Sequence, residues 1–116
     1  MLDPFGGFLY RGPRESRAFD DGPSASTPRL LEVLAQHNAK ATFFQCGMHV
    51  RKRKDIARAI VDAGHEIGNH TDSHPLLALK SGRFLRNDLR RAQDSITEAT
   101  GKAPVWFRPP YGVRWF

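Results

Sequence analysis

Gly64-His65-Glu66-Ile67-Gly68-Asn69-His70-Thr71-Asp72-Ser73-His74 joins a helix stop, a short strand and a loop bearing two imidazoles. Gly64 is a typical C-terminal cap for a preceding helix. His65 to Asn69 reads as a strand. Gly68 and Asn69 before the loop, and Pro75 directly after it, argue against a helix across His70 to His74. Two histidines four positions apart can close on one cation through neutral ring nitrogens. On a helix that spacing is the H-E-x-x-H zinc site; here it predicts a turn leaving a strand. Two ligands do not complete a catalytic site, so the rest must come from elsewhere in the chain.

Working backwards from Gly64, Ile56, Ala57, Ile60 and Val61 share one face of a helix. Ala41-Thr42-Phe43-Phe44 is a β-type run closed by Gly47. Thr27-Pro28 starts a helix, with the hydroxyl at the N-cap and proline at the first helical position. Leu30, Leu31 and Leu34 continue it to about His37. Ser16 to Phe19 makes a poor, short strand, broken by Asp20-Asp21-Gly22-Pro23. Residues 1–15 hold Gly6, Gly7, Gly12, Pro4 and Pro13 and read as an irregular leader, leaving 16–116 as the domain.

Forwards, Phe84, Leu85, Leu89, Ala92 and Ile96 trace a helical face ending near Gly101. Val105-Trp106-Phe107 is a fourth strand, followed by Arg108-Pro109-Pro110-Tyr111-Gly112. The order β-α-β-α-β-α-β implies parallel pairing and an α/β fold.

A chain of 116 residues is one domain at most, and 40% apolar content supports a core. The net charge of +6 and a pI of about 10.1 make anionic partners worth weighing. No apolar run approaches the roughly 18 residues of a membrane helix. Met1 to Gly7 lacks a basic start followed by an apolar stretch, so no signal peptide is expected; localisation and oligomeric state stay open. Cys46 is the single cysteine, expected to be a small buried hydrophobe. Arg51-Lys52-Arg53-Lys54, with Arg83, Arg86, Arg90 and Arg91, reads as solvated helix faces rather than a nucleic-acid or anionic-polymer patch. His37, His49 and His65 have no partner at ligand spacing and take surface or packing roles.

Asp20-Asp21, His70 to His74 and Arg108 to Tyr111 each follow a strand. In parallel α/β folds all strand C-terminal ends open on one face, so these three segments can share a site. Asp21, His70 and His74 as ligands leave an open position, the pattern of a catalytic metal site. Asp20 would then be a general base, kept ionised by Arg108, which can pair it bidentately. The chemistry is hydrolysis of an acyl group. Taken singly, Asp20 to Pro23 is an ordinary turn and Arg108 a surface charge. Trp106, Tyr111 and Trp115 could stack on a sugar ring, although Trp106 suits core packing equally well.

Phe19-Asp20-Asp21-Gly22-Pro23, His70-Thr71-Asp72-Ser73-His74 and Arg108-Pro109-Pro110-Tyr111 resemble the first three motifs of the polysaccharide deacetylases. These carry the NodB homology domain and form carbohydrate esterase family 4. Ala41 to Phe44 and Gly64 to Asn69 look like its connecting segments, and the match spans about residues 18–112. The resemblance implies the N-terminal part of a distorted (β/α) barrel. It implies a hydrolase removing N-acetyl groups, with O-acetyl groups as the alternative, from a carbohydrate polymer such as chitin or peptidoglycan, acting on non-peptide carbon–nitrogen bonds. By resemblance Asp20 is the base and Asp21, His70 and His74 hold a divalent metal, zinc first, with cobalt, nickel or manganese as alternatives. Arg108 orients the base, and the Tyr111 backbone N–H, with the metal, stabilises the oxyanion.

Three departures stand out. Ala18 replaces the usual threonine. Arg14-Glu15-Ser16-Arg17 puts charge where a barrel strand is normally apolar, which predicts that the true first strand is lost or mis-joined. The sequence stops at Phe116, before the later motifs and their general-acid histidine, whereas a complete barrel takes ~250 residues. The expectation is a C-terminally truncated, marginally stable domain with an exposed last edge. The alternative reading is a non-catalytic metal- or carbohydrate-binding remnant.

Overall fold

The computed structural model describes residues 17–112. The leader over 1–15, most of the charged lead-in and Trp115 lie outside the described residues. Four strands, β1 (Ala18–Asp20), β2 (Thr42–Gln45), β3 (Glu66–Asn69) and β4 (Trp106–Phe107), form one sheet in the order β1-β2-β3-β4. Every neighbouring pair is parallel, in the registers Phe19↔Phe43, Phe43↔Ile67 and Gly68↔Trp106. Helices α1 (Thr27–Gln36), α2 (Gly47–Lys52), α3 (Lys54–Asp62) and α4 (Gly82–Thr100) supply the crossovers that parallel strands require.

Strand alternation sorts the core. Phe43 packs with Leu34, Ala41 and Ile60 between β2, α1 and α3. Ile67 packs with Val50, Ala57 and Ile96, which ties β3 to α2, α3 and α4. A third cluster joins Leu85 and Leu89 of α4 to Leu77 and Phe107. Phe44, one residue on from Phe43, points to the opposite face. Its ring fits there because Gly68 on the neighbouring strand has no side chain. A Cβ at Gly68 would lie 2.5 Å from Phe44 Cδ1 and 2.6 Å from Cε1. Gly68→Ala should therefore destabilise the chain by about 1–3 kcal/mol, the usual cost of overpacking. Urea unfolding checks this; a midpoint equal to the parent's would show that the ring moves freely.

The elements differ from their sequence expectations in instructive places. A first strand is present: β1 begins at Ala18, with Arg17 exposed just ahead of it. The expected helix ending at Gly64 is α3, and a short helix that was not expected, α2, precedes it; the two are separated at Arg53, whose φ of −138° and ψ of 57° are not helical. Ser26, not Thr27, is the N-cap of α1, and the Thr27 hydroxyl instead accepts the Ser24 N–H at 2.9 Å. α4 follows its signals closely. Ser81 Oγ accepts the Phe84 N–H at 3.1 Å, and Gly101 ends the helix at φ 75°.

Candidate active site

The C-terminal ends of β1, β3 and β4 bring Asp20, Asp21, His70, His74, Arg108, Pro109 and Tyr111 around a single cavity of about 500 Å³. Asp20 is the last residue of β1, and Asp21 turns sharply out of it at φ 75°. That turn is held by its N–H on the Phe44 carbonyl at 3.1 Å and by His49, which donates from Nδ1 to the Asp21 carbonyl. His70 follows β3 and donates its N–H to the Gln45 carbonyl at 3.0 Å. Arg108 follows β4 and donates its N–H to the Asn69 carbonyl at 3.1 Å.

Within the histidine loop, Thr71 and His74 also have positive φ, 68° and 58°, as does Tyr111 at 62°. With Asp21, these are four of the five non-glycine residues in that region among the described residues; Asn38 is the other. Each such residue costs on the order of 1 kcal/mol or more, and such strain concentrates at functional sites. Local bonds stabilise it: Thr71 N–H donates to Asn69 Oδ1 at 2.8 Å and His74 N–H to Thr71 Oγ1 at 3.1 Å. Asn69 in turn donates through Nδ2 to the Leu89 carbonyl and to Gln93 Oε1.

Asp21 Oδ1 lies 3.0 Å from His70 Nε2 and 2.8 Å from His74 Nε2. One potential ligand atom from each residue lies within 4.8 Å of the others. The protonation of His70 decides what this triad can hold. Its Nδ1 is 2.7 Å from the Arg108 carbonyl, an acceptor, so Nδ1 carries the proton. Burial pushes the His70 pKa down, against the opposing pull of that carbonyl and of Asp20 and Asp21. A neutral ring protonated at Nδ1 leaves Nε2 as a bare lone pair facing a carboxylate oxygen. Two acceptors at that distance repel unless a cation lies between them. Two imidazole nitrogens and a carboxylate oxygen fit a zinc-type ion with room for a further ligand. The bond to the Arg108 carbonyl is the kind of outer partner that fixes the tautomer of a ligating histidine.

Beside the triad, Arg108 Nη1 donates to both oxygens of Asp20, at 3.1 and 3.4 Å. The expected pairing thus forms, but through one nitrogen rather than a two-nitrogen fork. The guanidinium also sits 4.5 Å above the Phe44 ring. The Tyr111 ring stands edge-on to His74, centroids 4.7 Å apart, and is 67% exposed.

The polysaccharide deacetylase family model matches residues 16–114. The chain belongs to the polysaccharide deacetylase family. It is 42% identical over 104 residues to a peptidoglycan-N-acetylglucosamine deacetylase of Bacillus cereus, covering 89% of this chain and 38% of that protein. To a chitooligosaccharide deacetylase of Sinorhizobium fredii it is 40% identical over 97 residues, covering 82% and 45%. A family 4 carbohydrate esterase from Streptomyces lividans, solved with acetate, superposes with a TM-score of 0.82 at 36% identity, covering 94% of this chain and 54% of that one. The chain therefore spans about half, or less, of the relatives it matches. The all-parallel four-stranded sheet is consistent with part of a β/α barrel.

Several residues of this deacetylase-family site escape a sequence reading. Asp72, inside the histidine loop, does not join the triad; it is buried, and Arg51 donates to it from Nη1 at 2.6 Å and Nη2 at 3.0 Å. Arg51 is thus half-buried and paired rather than a freely solvated charge, unlike the expectation for the basic run. An aspartate between two histidines was the available signal, but nothing local names a partner 21 residues away. His65, placed at the surface or in packing, is a buried acceptor: its Nδ1 takes the Ala41 N–H at 3.1 Å.

His65 and His70 give a pH dependence whose sign is fixed. Burial lowers both pKa values, and the Lys40 charge lowers His65 further. The fold therefore favours the neutral rings. That stability is complete above the unfolded value of about 6.5 and is lost as pH falls through the lower folded values. The melting temperature of metal-free protein should drop between pH 7.5 and 5, with a shallower slope in His65→Gln. A flat profile in the parent would contradict the assignment.

Proposed function

We propose that this chain provides the metal- and base-bearing site of a hydrolase that removes acetyl groups from an acetylated carbohydrate, with N-acetylated amino-sugar polymers of the peptidoglycan or chitin kind as substrate. One observation carries the reading: the Asp21, His70 and His74 donor atoms converge while Asp20, the adjacent carboxylate, is pinned by Arg108 on the same cavity. The names of the bacterial relatives support the substrate class.

Asp21, His70 and His74 would hold a divalent cation, zinc by the chemistry of the donor set. When bound, such an ion supplies Lewis-acid polarisation of the acyl carbonyl and lowers the pKa of the nucleophilic water. Asp20 takes the proton from that water as general base. Arg108 holds the Asp20 carboxylate in place through Nη1, which bonds both of its oxygens. The Tyr111 backbone N–H, on the rim of the same cavity, is the donor assigned to the oxyanion. Tyr111 also exposes a ring on which a sugar can stack.

Acetate release by zinc- or cobalt-loaded protein, compared on acetylated chitooligosaccharides and acetylxylan, tests both the reaction and the substrate. Release from the amino sugar is the expected result. Release from acetylxylan alone would make the chain an O-acetyl esterase instead.

A further inference from the structure

Asp72 lies midway between His70 and His74 in sequence, yet its carboxylate is buried on the far side of the loop against α2. Arg51 of α2 grips both oxygens in a two-nitrogen fork, and Arg51 Nη1 is tied in turn to Ser95 Oγ of α4 at 2.9 Å. The first two N–H groups of the same helix, from Gly47 and Met48, donate to the carbonyls of Thr71 and Asp72 at 3.1 and 3.3 Å. From α4, Asp88 accepts the N–H groups of Asp72 and Ser73 and the Ser73 hydroxyl, at 2.8, 3.2 and 2.8 Å. Contact here is tight. A Cβ at Gly47 would run into the Asp72 carboxylate and lie 2.8 Å from the Ala92 Cα. The loop is thus clamped from behind at Asp72 and Ser73, between its two imidazoles, across a backbone that is left-handed at both Thr71 and His74.

We propose that Arg51, through its fork on Asp72, is a positioning residue for His70 and His74. This rests on reading Asp21, His70 and His74 as a cation site. A planar fork fixes both the distance and the rotation of the Asp72 carboxylate, and so the rotation of the loop that carries the imidazoles. A lysine ammonium keeps the charge but is a point, and leaves that rotation free.

The test is Arg51→Lys in the full chain, titrated with Co2+ and followed by calorimetry and by the visible absorption of the bound ion. Far-UV dichroism and a thermal melt run alongside. Arg51→Lys should melt cooperatively near the parent, because the charge pairing survives. Its Co2+ dissociation constant should rise about 10–100-fold, the usual effect of losing an outer partner of a ligand, with altered absorption bands. A folded Arg51→Lys with the parent's affinity and spectrum overturns the proposal. Should Arg51→Lys fail to melt cooperatively, Asp72→Asn, which keeps shape while removing the charge, must show the same weakening; parental affinity there overturns it equally. The underlying site is tested separately in the parent. Parental Co2+ uptake that His74→Ala leaves intact refutes the cation site, and this proposal with it; uptake lost in His74→Ala but unchanged in Arg51→Lys refutes the proposal alone.

Discussion

Asp20→Asn should abolish acetyl release while leaving divalent-cation uptake at its parental level. The substitution keeps the shape of the side chain and an oxygen for Arg108 to bond, so the surroundings have no reason to shift. It removes the one feature the proposed step needs, a lone pair basic enough to take a proton from water. General-base contributions run to ~10²–10⁴-fold, and the loss in turnover should fall in that range. Binding should survive because the side-chain contact of Asp20 is Arg108 Nη1, at 3.1 Å, while it is Asp21 that meets the histidines. The pair of outcomes is diagnostic. Lost turnover with cation retained supports a hydrolase. A parent that binds the cation but turns over neither substrate supports a non-catalytic binding protein. A variant retaining most of its activity removes Asp20 from the mechanism.

His74→Ala should abolish the uptake of zinc, cobalt or nickel. His74 suits this better than His70, whose ring donates to the Arg108 carbonyl; removing that donor would disturb the β4 end as well as the cluster. His74 is partly exposed, and its Nε2 is 2.8 Å from Asp21 Oδ1. Altering an outer partner costs 10–100-fold in metal affinity, so deleting a direct ligand should exceed that range. Asp21→Asn is the companion. Asparagine tolerates the left-handed backbone at φ 75° but offers a neutral oxygen in place of a charged one. Calorimetry on metal-stripped protein measures both; affinity within tenfold of the parent in either variant would remove that residue from the ligand set.

The strand ends were readable because β runs, helix stops and turn formers alternate cleanly. Once the strands are parallel, Asp20, His70 and Arg108 must come out on one face. What sequence could not supply was the second layer. α2 is six residues long, begins at a glycine and has no side-chain cap, so no periodicity marks it. Its start is dictated by two loop carbonyls more than twenty residues downstream. Arg51 belongs to a run of four cations whose neighbours in sequence are equally basic, and only the folded chain shows that Asp72 claims it. Thr27 is already the first residue of α1, and its hydroxyl accepts the Ser24 N–H, while Ser26 at the N-cap position makes no side-chain cap bond. Local patterns thus predicted which residues face the cavity, while the groups that fix their orientation depended on contacts across the fold.

Cys46 stands at the end of β2 directly behind this cavity, fully buried, its Sγ 3.7 Å from the His70 carbonyl. Burial, reinforced by the charge of Asp21 and of other nearby aspartates, pushes its pKa up to about 12. Its sulfur, the softest donor among the described residues, is not one of the atoms that converge at the histidine cluster. What remains is an array of borderline nitrogen and hard oxygen, which disfavours capture by thiophilic ions such as cuprous copper. A single sulfur set behind the cavity rather than on it would thus bias which metals the neighbouring loop could keep.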